Sequence, residues 1–150
     1  MYLNNLQSYF FGFILILFMG FVACEKSNEE LPTSDFNQIL KLKKTQKIWL
    51  GSNNQFKISV DEISDSRCPH LANCISAGNA TVTLSITDNE DSLVKFNLNL
   101  GEKSNFKPDS LSFNFKNKAY QVILLNVSPY PDLKNQLDNK EADLVVQLKN

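Results

Sequence analysis

The chain of 150 residues has one histidine (His70), one arginine (Arg67), one tryptophan and five glycines. A single histidine cannot build a His-based zinc hydrolase site, and any Ser-His-Asp or Cys-His arrangement would have to use His70. None of the five glycines falls in a phosphate-cradling run, which excludes a P-loop or dinucleotide fingerprint. Basic and acidic residues nearly balance at 15 and 16, so no strongly basic face exists for nucleic acid. Carboxylates occur only as scattered surface acids, which gives a paired-carboxylate glycosidase no support. Helical periodicity is also missing after residue 23. These absences point to a non-enzymatic protein with no cofactor and no nucleic-acid partner.

Charge is absent from residues 1–23, where 17 of the apolar residues lie. Residues 9–23 read YFFGFILILFMGFVA and are followed by Cys24. A bilayer-spanning helix needs roughly 20 apolar residues, so this shorter run reads as the core of a secretory signal peptide. Ala23 beside Cys24 resembles the lipobox of bacterial lipoproteins, in which the cysteine is diacylated and the chain is cut before it. Phe21 stands where that motif usually has Leu, and the leading MYLNNLQSY has no Lys or Arg. The resemblance implies lipidation at Cys24 and a membrane tether, because two or more acyl chains anchor stably. Residues 24–34 are polar, include Pro32 and read as a flexible linker. The acidic pair after the cysteine resembles surface-export signals of Bacteroidetes lipoproteins. The implied place is the cell envelope, at the outer membrane or the cell surface.

With Cys24 assigned to lipid, Cys68 and Cys74 remain. An even remainder in an exported chain favours one disulfide. The chain-entropy relation gives it about 2.4 kcal/mol for so short a loop. His70 lies between them, so the alternative is a reduced Cys68, His70 and Cys74 set binding copper or zinc.

From residue 35 to 150 the dominant signal is alternation of apolar and polar residues, the period of a half-buried strand. It recurs at 56–60, 80–87, 94–100, 111–116 and 142–148, with weaker candidates at 39–43 and 47–50. Residues 121–127 are almost continuously apolar, as expected of a central strand covered on both faces. Turn signals separate the runs at 51–54, 88–91 and Asn117-Lys118, with a longer polar connection at 101–109. Residues 133–139 could add about one helical turn. Short strands at this spacing predict a single all-β domain, an antiparallel sandwich of about seven or eight strands.

The densest segment between strands is 61–80, DEISDSRCPHLANCISAGNA. Its Asp65, Ser66, Arg67, Cys68, Pro69, Cys74, Ala77, Gly78 and Ala80 resemble a D-S-R-C-P…C…A-G-x-A pattern. That pattern occurs in small exported bacterial lipoproteins with no settled activity. Residues 120–131 and 142–146 resemble the later strands of the same family, while Ser76 stands where relatives often have Trp. The resemblance implies an Ig-like sandwich and the Cys68–Cys74 bridge.

Arg67 offers a planar fork of donors that lysine cannot reproduce. Its expected partners are Asp65, Asp61 or loop carbonyls, or else an external carboxylate or phosphate. Asp61, Glu62 and Asp65 read as a solvated acidic rim, with calcium as the alternative. Gly78 is expected in a turn conformation that side chains disfavour. The favoured role is binding or an accessory function, with loop 61–78 contacting an envelope protein or small ligand through Asp65, Arg67 and His70. Metal trafficking and, by fold analogy, protease inhibition are the alternatives.

Overall fold

A computed structural model describes residues 30–89, 93–101, 109–133 and 139–149. The expected export signal, Cys24, most of the expected linker and residues 134–138, where a helical turn is expected, lie outside them. Among the described residues nine strands run in chain order: β1 (Thr33–Ser34), β2 (Ile39–Lys43), β3 (Lys47–Leu50), β4 (Phe56–Asp65), β5 (Asn79–Thr87), β6 (Leu93–Gly101), β7 (Asp109–Phe115), β8 (Lys118–Ser128) and β9 (Glu141–Lys149). They form two sheets, ordered β1-β3-β4-β5-β6 and β2-β9-β8-β7. The pairings are antiparallel except β1 with β3, which is parallel.

The alternation anticipated in the sequence buries one core between the sheets. Ile58, Val60, Val82, Leu84 and Ile86 meet Tyr120, Val122, Leu124, Leu144 and Val146 there. Phe56 is fully buried and contacts Phe36, Phe113, Phe115 and Tyr120, its ring 5.1 Å from that of Tyr120 and nearly perpendicular. Edge-to-face packing places the positive edge of one ring on the negative face of the next. The Tyr120 hydroxyl donates to Gln55 Oε1 at 3.1 Å, and burial pushes its pKa up.

Four expectations need correction. Thr33 and Ser34 belong to the domain and not to the linker, because they pair with Trp49 and Leu50. Strand β8 is central in its sheet yet not covered on both faces: Ile123 is half-buried and Leu125 exposed, since nothing stacks on the outer side of this sheet among the described residues. The tight turn is Lys116-Asn117, one residue earlier than expected. Both residues have positive φ, 45° and 61°, as a two-residue hairpin requires. Finally, an Ig-like sandwich interleaves its strands as Greek keys. Here β3 to β6 form one meander and β7 to β9 another.

Two irregularities shape one end of the sandwich. The β4–β5 register shifts between Val60 and Glu62, making Asp61 the extra residue. Up to Val60 the even-numbered side chains face the core, and beyond the bulged Asp61 the odd-numbered Ile63 and Asp65 do. Likewise β8 shifts against β9 between Leu124 and Asn126, so Val127 faces inward where the earlier phase would have placed a neighbour. A bulge changes which face a strand presents. Here the first bulge turns Asp65, and with it Arg67, into the protein.

Candidate functional site

Beyond β4 and β5 the ladder continues into the cysteine loop. The Ser66 amide donates to Asn79 O at 2.8 Å, and the Cys68 amide to Ala77 O at 2.7 Å. Gly78 has φ +68°, and a Cβ there would collide with the Ser66 carbonyl, so the close approach admits only glycine. Cys68 and Cys74 form a disulfide, with Cα atoms 5.9 Å apart. The loop is thus closed by two rungs and a covalent bond.

Beneath it lies a buried charge cluster. Asp65 has a side chain only 1% exposed. It accepts from Arg67 Nε at 2.8 Å on one oxygen and from Arg67 Nη2 at 2.7 Å on the other. The Arg67 backbone amide adds a third bond at 3.2 Å. Lys140 Nζ, brought from just before β9, donates to Asp65 Oδ2 at 2.6 Å and to the Pro129 carbonyl at 3.1 Å. Arg67 Nη2 also donates to Val127 O at 2.7 Å, across to the other sheet. Burial alone would raise the Asp65 pKa. The Arg67 and Lys140 hydrogen bonds outweigh it and hold the carboxyl below its usual range.

The connection after β8 packs on this cluster. Ser128-Pro129 is a cis peptide. The Tyr130 ring lies 4.5 Å from the Arg67 guanidinium and 4.4 Å from the His70 ring. The His70 amide donates to Pro131 O at 3.0 Å, and His70 pairs with Asp132 as a short parallel bridge. Loop 66–78 and segment 128–133 therefore form one cap over this end of the sandwich.

Asp65, Arg67 and His70 thus come together at this end, His70 exposed and stacked on the Tyr130 ring that also covers Arg67. Asp65 and Arg67 are occupied with each other, with Lys140 and with the β8 backbone. This is the first of the partner sets expected for Arg67. Asp65 is no part of a solvated rim. Asp61, the bulged residue, turns to the other face and accepts from Ser85 at 2.6 Å while pairing with Lys95 at 2.8 Å. A shared cation on Asp61, Glu62 and Asp65 is therefore not assembled. A copper or zinc site on Cys68, His70 and Cys74 would need both thiolates, and these are bonded to each other. Among the described residues no group of three or more His, Cys, Asp or Glu side chains could hold a metal ion.

The cap exposes large apolar side chains among polar ones such as His70, Asn73, Ser76 and Asp132. Leu71 and Ile75 are fully exposed, at 101% and 109%, and Leu133 and Tyr130 are exposed on the segment packed against the loop. Leu71 also holds φ +66° at the third position of a turn closed by Ala72 N donating to Pro69 O at 3.2 Å. Glycine or asparagine suits that position, whereas a leucine there is strained. None of these four apolar residues was singled out in the sequence reading as a contact residue. The findable signal was two large apolar residues inside a loop too short to bury them. Lys140 had no local signal at all, being 75 residues from its partner.

No family model matches the chain, and neither a curated protein nor a solved structure resembles it.

Proposed function

We propose that this chain is an exported lipoprotein, anchored through Cys24 at the cell envelope, whose domain serves as a non-enzymatic binding or accessory module. Its contact surface is the cap, in particular the turn carrying Leu71 and the adjoining Ile75. The observation that carries this reading is the combination at Leu71 of full exposure and positive φ. Folding alone would favour a small polar residue there, so the leucine is kept at the expense of stability for what it touches. The covalently closed loop and the buried cluster beneath it hold that surface in one shape, which lowers the entropy lost on contact.

The test is photocrosslinking in intact cells, with a benzophenone side chain placed at position 71 or at position 53 in the opposite turn. Adducts at 71 and none at 53 support the reading. Equal labelling at both, or none at 71, contradicts it. Incorporation of labelled palmitate that is lost in Cys24→Ala tests the anchor separately.

A further inference from the structure

We infer that residues 31–43 are an exchangeable arm, and that two copies of this chain associate by trading it, driven by strain at Thr45 in the hinge behind it. The inference is independent of the anchor and of what the cap touches.

Topology supplies the first argument. The arm contains β1 and β2, and each is the outermost strand of its sheet. Lifting the arm away breaks the β1–β3 and β2–β9 ladders and leaves β3-β4-β5-β6 and β9-β8-β7 in order. What remains is a slot shaped for this segment. The Phe36 ring packs 5.9 Å from that of Phe56 and 5.6 Å from that of Tyr120, and Leu40 and Leu42 are buried between the sheets. Along the other sheet, Trp49 N donates to Pro32 O at 2.9 Å and Gly51 N to Ser34 O at 3.0 Å. An empty slot exposes apolar surface and an unpaired strand edge, and both favour refilling. The occupant that reproduces every one of these contacts is the same segment of a second copy.

The hinge supplies the second. The chain passes from β2 at the edge of one sheet to β3 in the other through a tight turn over 43–46, in which Gln46 N donates to Lys43 O at 3.0 Å. Its third residue, Thr45, has φ +66°. Among the described residues it is the one β-branched side chain with a positive φ, a conformation that branching at Cβ makes costly. Thr45 N donates to Val60 O at 2.7 Å, so the body holds the strained residue in place while the turn stays closed. Exchange straightens the turn and returns Thr45 to the extended backbone that branched residues prefer. The arm keeps its contacts, now made between copies related by a two-fold axis, and two hinges relax in each dimer. A short hinge under strain is the condition that favours such an exchange over the closed monomer. Residues 66–78 and 128–133 lie outside the arm, so each body retains its own cap.

The experiment uses the full chain in detergent micelles with Cys24→Ser, so that the only unpaired thiols are those introduced. One preparation carries Lys41→Cys and the other Asp143→Cys, positions directly opposite in the β2–β9 ladder and within disulfide reach. Each variant is first shown to fold by its far-ultraviolet spectrum. The two are then unfolded in urea, refolded together at high concentration and briefly oxidised. A covalent heterodimer linked through positions 41 and 143, identified by peptide mass mapping, reports an arm seated on another copy. Lys41→Cys refolded with Ser112→Cys, which lies on the opposite edge strand of the same sheet, measures random linkage. The expected yield is several times that control. It should fall about tenfold when Thr45→Gly is added to both chains, because glycine removes the hinge strain and leaves the arm unchanged. A yield equal to the control overturns the exchange. A yield above the control that Thr45→Gly does not lower overturns the hinge strain as its cause.

Discussion

At one end of the sandwich the described connections are short and polar. At the other, two longer segments are tied to each other and to the sheets by a disulfide, backbone rungs and a buried charge cluster. The polar end closes β7 to β8 with two residues whose positive φ angles suit the twist of the strands, and the turn needs nothing beneath it. The cap end does the reverse. It buries a carboxylate and a guanidinium with a partly buried ammonium beside them, and then exposes leucine and isoleucine above them. Simple closure of a sandwich requires only the first arrangement. This contrast is what supports the proposal that the cap is the contact surface.

The largest effect expected from breaking this contrast is at Asp65. Removing its carboxylate in Asp65→Ala strands the buried Arg67 and takes a partner from the partly buried Lys140, and should lower stability by about 3–5 kcal/mol in denaturant unfolding. Removing the exposed partner of the Lys43–Glu141 pair, as in Lys43→Ala, should change it by less than about 1 kcal/mol. Cutting the covalent closure comes next. Replacing both Cys68 and Cys74 by Ser should lower stability by about 2 kcal/mol, by the loop-entropy relation. Secondary structure in the far-ultraviolet spectrum should be retained, since the bridge joins no two strands.

Acid titration sharpens the same comparison. A carboxyl whose pKa is held below its unfolded value contributes stability that is present above about pH 4 and is lost as pH falls through the lower, folded value. Asp65 and Asp61 both shift in that direction: burial opposes each, and hydrogen bonds from Arg67 and Lys140, or from Lys95 and Ser85, outweigh it. Asp61 is 30% exposed, so solvent screens its share. The pH dependence of unfolding between pH 2 and 4, as order-of-magnitude bounds, should flatten more in Asp65→Asn than in Asp61→Asn. The smallest effect is a gain. Leu71→Asn relieves a positive φ and should raise stability by about 0.5–1 kcal/mol while abolishing the contact made by the cap.

Much of the fold was legible because alternation is a local signal. Even the bulges could be read: Phe56, Ile58 and Val60 are spaced by two, and Ile63 follows at a spacing of three. The same slip separates Leu124 from Val127. The cysteine pair and Gly78 were legible for the same reason, since each depends on its near neighbours. The Arg67–Asp65 pair was legible in part, being two residues apart, but its burial was not, because that follows from the bulge and from cover by residues 128–133. Lys140 and the Tyr130 stack arise only when β8 and β9 bring their ends to the loop. The continuous apolar run of β8 misled because its outer side chains are shielded by neighbours along the sheet and not by a second layer. Ile39, Val145 and Ile123 form such a cross-strand row.

The central claim is that the cap is a rigid platform presenting apolar side chains. Amide hydrogen exchange tests it most directly. The Cys68 and His70 amides, bonded to Ala77 O and Pro131 O, should exchange nearly as slowly as those at the ends of β4 and β5, and far more slowly than Ser52 and Asn53 in the opposite turn. Exchange at Cys68 and His70 as fast as at Ser52 and Asn53 would contradict it.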